Sequence, residues 1–150
     1  MSRAFVKETA ESAAPPERMV SEGPNLVTEA GAARIAAEVQ RLEAALKSET
    51  NPLLRETLAR DLRYWSVKQA SAQIVPPPSG EDAAFGSRVT IRRGGREQTF
   101  RIVGEDEADP AHGLLNFKSP LAAAILGTRK GDVIEAAAPI GEIEILEIEN

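Results

Sequence analysis

Apolar positions along this chain change their period near the middle. After Thr28, the residues Ile35, Val39, Leu42 and Leu46 recur in steps of four, three and four. That spacing places them on one face of a helix, and Thr28 stands before them as an N-cap. Asn51-Pro52 breaks the pattern and can restart it, with Asn51 capping and Pro52 preset for the first helical position. Leu54, Leu58, Leu62, Trp65 and Gln69 continue a similar seam to about Ala72. Two such seams across a short polar link predict an antiparallel helical hairpin. The Asn-Pro break and the short link favour it over helices shared between molecules.

Pro76-Pro77-Pro78-Ser79-Gly80 then marks a linker, and beyond it the period shifts from helical to alternating. A strand over 87–91, a Gly94-Gly95 turn and a partner over 98–103 read as a β-hairpin. In the second strand Phe100, Ile102 and Gly104 alternate with Arg101 and Val103, as in a half-buried strand. An acidic turn follows over 105–109, then a short apolar run over 114–117. Ser119 is an N-cap and Pro120 opens a helix that places Leu121, Ile125 and Leu126 on one face, with Gly127 able to close it. Strands over 132–137 and 142–148 flank Pro139-Ile140-Gly141. The expected fold is two-domain α+β: a flexible tail over 1–24, a hairpin over 25–75, a linker over 76–80, and an antiparallel sheet with one helix over 81–150. In the tail, Phe5 and Val6 are the clustered bulky residues of the first half.

Composition narrows the function classes. The chain has 150 residues, 42% hydrophobic but 4% aromatic, so its core is aliphatic. Zero Cys leaves no disulfide frame or zinc-thiolate site. No apolar run approaches the ~20 residues of a membrane span, and no secretory signal is visible. Cytoplasmic localisation, no membrane association and a monomer are expected. The net charge is −5, and residues 81–150 carry 13 acids against 8 bases. Binding duplex DNA through phosphates needs a basic face, so little direct DNA binding is expected. Arg88, Arg92, Arg93 and Arg96 form one local basic cluster, read as a solvated hairpin tip in preference to a phosphate contact. His112 is the only His and lacks the partners of a metal site or triad. The glycines lack the strand-loop-helix setting of a phosphate loop.

The segments RIVGEDEAD, SPLAAAILG and GD, in this order within 100–132, resemble the C-terminal domain of the Gre transcript-cleavage factors (GreA/GreB). VTEAGAARIAAEV and LRYWSVKQASAQIV resemble the two arms of the Gre coiled coil, so the likeness spans about 25–149. It implies an FKBP-like C-terminal fold and RNA polymerase as partner. Prolyl isomerase chemistry does not follow from the fold alone. In that family the hairpin enters the polymerase secondary channel, and acids at its tip, in an Asp-x-x-Glu-Asn pattern, help hold a second Mg²⁺. The Ser-Pro turn packs on a coiled coil at the channel rim. Carried over, this assigns polymerase binding to Ser119, Pro120 and Leu121, with Asp106 and Glu107 nearby. Lys118 stands where the family often has a small or acidic residue.

The tip departs from the pattern. It reads KSETNPLLRET, with Glu49 at the turn, Asn51 after it and Glu56 on the second helix. A deficit of roughly two dozen residues shortens each arm by about 18 Å at 1.5 Å per residue. The resemblance is therefore to Gre-like proteins with altered hairpins, including those named nucleoside-diphosphate-kinase regulators. The expected function is regulation of elongation from near the secondary channel without efficient cleavage. No catalytic residue, metal or cofactor of its own is expected. Mg²⁺ would be shared at the polymerase active site only if the tip were active. The alternatives are an active cleavage factor whose tip uses Glu49 or Glu56, or a regulator of another enzyme such as a nucleotide kinase.

Overall fold

The computed structural model describes residues 15–150; Phe5 and Val6 lie outside the described residues. Two helices come first: α1 (Glu29–Ser48) and α2 (Pro52–Ser71). Thr28 caps α1, its Oγ1 accepting from Gly31 N–H at 3.0 Å. Asn51 caps α2, its Oδ1 accepting from Leu53 and Leu54 N–H at 3.0 and 3.3 Å. Both starts follow from a short polar side chain satisfying amides that the helix leaves free. Ile35, Val39 and Leu42 are buried, as the seam on α1 predicts. On α2 the seam is shallower than its spacing suggests. Leu54 is 50% exposed, and Leu58, Leu62 and Trp65 are only half-buried.

Short strands β1 (Asn25–Val27) and β2 (Ala72–Ile74) flank the helices and pair in parallel. Alternation could not reveal them, because three residues are too few to show a period.

The C-terminal sheet runs β5-β4-β3-β7-β6, where β3 is Arg88–Arg93, β4 Arg96–Val103, β5 Leu114–Asn116, β6 Val133–Ala136 and β7 Gly141–Glu149. All neighbours are antiparallel except β4 and β5, which are parallel, so one pair departs from the expected antiparallel pattern. The helix α3 (Pro120–Ile125) packs on it. The core is aliphatic: Val89, Ile91, Ile102, Ile125, Ile143 and Ile145 are fully buried. Phe85 and Phe117 meet edge-on at its margin, with ring centroids 5.4 Å apart.

A bulge corrects the parity of β7. Ile91 pairs with Ile145 but Val89 with Ile148, so one extra residue lies between them. Without it, Ile148 would point away from the face that Ile143 and Ile145 occupy. The alternation expected at the end of β4 also breaks, because Val103 and Gly104 are both buried. At Gly104 the backbone of β1 comes so close that an added Cβ would run into the Leu26 carbonyl oxygen. On α3 the fully buried positions are Ala122 and Ile125; Leu121 and Leu126 are half-buried.

The chain separates into two compact units. One holds residues 35–71 and everything described before Pro24. The other holds 24–34 and 72–150. Residues 25–34 and 72–75, read from sequence as part of the hairpin, therefore sort with the sheet. The β1–β2 pairing and the close approach of β1 to Gly104 are the reason. The described part of the expected tail also makes contacts: Glu17 and Arg18 form ion pairs with Arg63 and Asp61.

Candidate functional site

The Ser-Pro start of α3 is built as its residue types require. Ser119 has an extended backbone, and its Oγ accepts from Ala122 N–H at 3.2 Å while Pro120 takes the first turn. Gly127 follows in the left-handed conformation, at φ 85°. Just before the cap, Asn116 Oδ1 accepts from Lys118 N–H at 2.9 Å. Lys118 Nζ lies 3.6 Å from Glu105 Oε2, joining the acidic turn to the root of the helix.

Alongside this helix runs an apolar groove of about 670 Å³. Ser119, Pro120 and Leu121 form part of one wall, with Ala123 and Ala124. The opposite wall is the β6–β7 connection, from Ala136 to Ile140. The sequence reading missed Ala123, Ala124, Pro139 and Ile140. Alanines carry no chemical signal, and their grouping depends on a connection that returns from the far edge of the sheet.

Asp106 and Glu107 do not line this groove. Asp106 is partly buried in the acidic turn. Glu107 accepts a hydrogen bond from Thr28 Oγ1 at 2.7 Å, and so extends the cap of α1. A Cβ at Gly31 would lie 2.7 Å from its Oε2. A carboxylate at a helix N-terminus is favourable, since the free amides and the dipole both attract negative charge. Glu107 is therefore engaged in structure, while the Ser119–Leu121 segment is presented to the groove. Among the described residues, Glu107, Thr28, Glu29 and Arg101 instead border a smaller hollow of about 200 Å³.

At the hairpin apex the carboxylate of Glu49 turns back on the chain. Its Oε2 accepts from Thr50 N–H at 3.1 Å and from Asn51 N–H at 3.2 Å. Arg55 donates to the carbonyls of Leu46 and Glu49, both at 2.7 Å, closing the end of α1. Glu56 borders a depression with Arg55 and Arg63. Leu53 and Leu54 project instead, each about half exposed. No group of three or more His, Asp or Glu suited to a metal is found among the described residues.

Two members of the basic cluster, Arg88 and Arg92, are paired. Arg88 meets Glu149 at 3.3 Å, and Arg92 bridges Glu97 and Glu144 at 3.4 and 3.1 Å. His112 is exposed and its Nδ1 lies 2.6 Å from Asp109 Oδ2. No helix among the described residues is long and apolar enough to cross a membrane.

The chain thus combines a helical hairpin, a five-stranded sheet domain and a Ser-Pro helix bordering an apolar groove. Residues 78–150 match the family described as transcription elongation factor, GreA/GreB, C-terminal. GreA of Alkalilimnicola ehrlichii is 39% identical over 88 residues, covering 54% of this chain and 56% of that protein. GreB of Neisseria meningitidis serogroup A is 40% identical over 96 residues, covering 60% and 59%. The chain thus aligns with little more than half the length of these relatives. Residues 78–150 thus form a C-terminal domain of the GreA/GreB type. Among solved structures, GreA factor homolog 1 of Thermus thermophilus aligns with 85% of this chain and 100% of its own, at TM-score 0.41 and 21% identity.

Proposed function

We propose that the protein binds bacterial RNA polymerase through the groove beside α3 and regulates transcription elongation from near the secondary channel, without efficiently stimulating transcript cleavage. The match of residues 78–150 to the GreA/GreB C-terminal domain supports the partner class. The geometry of the apex carries the rest of the reading. A tip that recruits Mg²⁺ must present carboxylate oxygens outward, because Mg²⁺ is held by one or two carboxylates together with substrate oxygens. Here Oε2 of Glu49 is turned back onto two backbone amides. Glu56 sits one turn into α2 beside Arg55 and Arg63. The apex presents Leu53 and Leu54. These residues do not fit a Mg²⁺ ligand pair, and in this reading the protein is not an enzyme and has no cofactor of its own.

The groove supplies a docking surface of ordinary chemistry. Its walls are mostly small and apolar, and an apolar helix face on the partner would bury them with little side-chain ordering.

The test is polymerase binding and RNA cleavage in backtracked complexes, using wild-type protein, Ala123→Glu and Glu49→Ala. Ala123 is exposed on the groove wall, so the glutamate alters the surface without entering the core. Binding by wild type, loss of binding by Ala123→Glu and no stimulated cleavage is the expected result. Cleavage that disappears in Glu49→Ala would establish the active-factor alternative. Absence of polymerase binding would remove the proposal.

A further inference from the structure

The return helix of the hairpin carries an aromatic pair that the helix packing leaves half-covered. Tyr64 and Trp65 are both of intermediate exposure, with ring centroids 5.1 Å apart in an edge-on arrangement. Neither the groove nor the hairpin apex uses them. A segment far away in sequence does. The guanidinium of Arg18 lies 3.9 Å from the Tyr64 ring centroid and 5.6 Å from that of Trp65. Its Nη1 is 3.5 Å from Asp61 Oδ1, and Arg60 holds the same oxygen at 2.8 Å. One residue earlier, Glu17 receives a forked contact from Arg63, with Nε and Nη2 within 2.8–3.0 Å of its two oxygens.

These contacts alternate in sign along α2: Asp61 and Arg63 face, in turn, what Arg18 and Glu17 supply. A cation stacked on aromatic faces and tied to a carboxylate is a specific arrangement, because a lysine could not offer the same flat face and fork. A forked Arg–carboxylate pair adds direction. Each contact alone is weak at an exposed site. Together they define a seat that fits a Glu-Arg pair.

We propose that residues 15–23 form a latch, docked in cis on α2 by Arg18 on Tyr64 and Trp65 and by Glu17 on Arg63, and that its release bares this aromatic face of the hairpin. The latch is electrostatic at both points, so it is opened by ionic strength or by a competing charged surface. It goes beyond polymerase docking and does not depend on it.

Trp65 is the only tryptophan in the chain, which makes the test direct. Acrylamide quenching of its fluorescence is measured in full-length wild type, Arg18→Ala, Glu17→Arg, and the swap Glu17→Arg with Arg63→Glu. Arg129→Ala, which breaks the Asp82 pair in the sheet unit, is the control. Removing a latch contact lowers the docked population on the order of several-fold. Quenching therefore rises in Arg18→Ala, in Glu17→Arg and in wild type at high salt. It returns toward wild type in the swap and is unchanged in the control. Far-UV circular dichroism establishes that each variant keeps its helices. Equal quenching in wild type, Arg18→Ala and Glu17→Arg would overturn the latch. A rise that the swap fails to reverse would overturn it too, because the Glu17–Arg63 pairing would then not be what holds it.

Discussion

Several single residues in this chain are explained by one close neighbour. Gly104 is the clearest, since the Leu26 carbonyl occupies the space a side chain would need. Gly104→Ala forces β1 to shift, and a loss of about 1–3 kcal/mol is expected from such overpacking, read by urea unfolding. Thr28 serves two partners, Gly31 N–H and Glu107. Thr28→Ala should cost about 1 kcal/mol, typical for a lost N-cap. Glu107→Ala should lower stability too, while leaving polymerase affinity unchanged if the groove is the docking surface. Equal losses of affinity in Glu107→Ala and Ala123→Glu would restore Glu107 to the contact surface. Glu17 belongs to the same scale. Its hydrogen bond with Arg63, helped by the charges of Arg63 and Arg60, holds its carboxyl below the ordinary glutamate value. A lowered carboxyl contributes above its unfolded value and loses that contribution as the pH falls through the lowered one. Trp65 quenching should therefore be flat across neutral pH and rise only on acidification below the ordinary glutamate range.

At the scale of elements, the Ser-Pro helix combines two roles. Ser119 caps α3, and the same turn forms a wall of the groove. Ser119→Ala should therefore lower stability by about 1 kcal/mol, which would confuse any binding measurement made with it. Ala123→Glu separates the roles: thermal unfolding should match wild type while polymerase binding falls. The hairpin apex teaches the converse. Glu49 reads as the one acid at the turn, yet two amides claim it and Arg55 closes the carbonyls behind it. An acid in a tight turn tends to satisfy the backbone there, because free amides lie within reach at no cost in chain entropy.

For the whole molecule, the compact units do not follow the Pro-rich stretch. Residues 24–34, which include the start of α1, belong with the sheet. Asn25 and Val27 are buried there, at 7% and 3% exposure. A fragment cut at the linker, 76–150, lacks this strand and leaves β2 out as well. It should unfold at a lower temperature than the sheet unit does in the full chain, measured by circular dichroism. Equal unfolding temperatures would mean that β1 adds nothing to the sheet unit.

By itself the sequence determined the features that depend on neighbours along the chain. These are the two capped helices, the alternating strands, the Gly-Gly turn, the Ser-Pro start and the family likeness of 100–132. Caps, turns and periods act within a few residues, so a linear reading reaches them. Only the tertiary structure decided what distant residues do to one another. It brought Glu107 to Thr28, folded the β6–β7 connection over α3 to make a groove, and seated Arg18 on Tyr64 and Trp65. It also placed the bulge in β7 that restores Ile148 to the core side. Such pairings are chosen by packing and electrostatics across tens of residues, and no local pattern encodes which of several acids or arginines will meet.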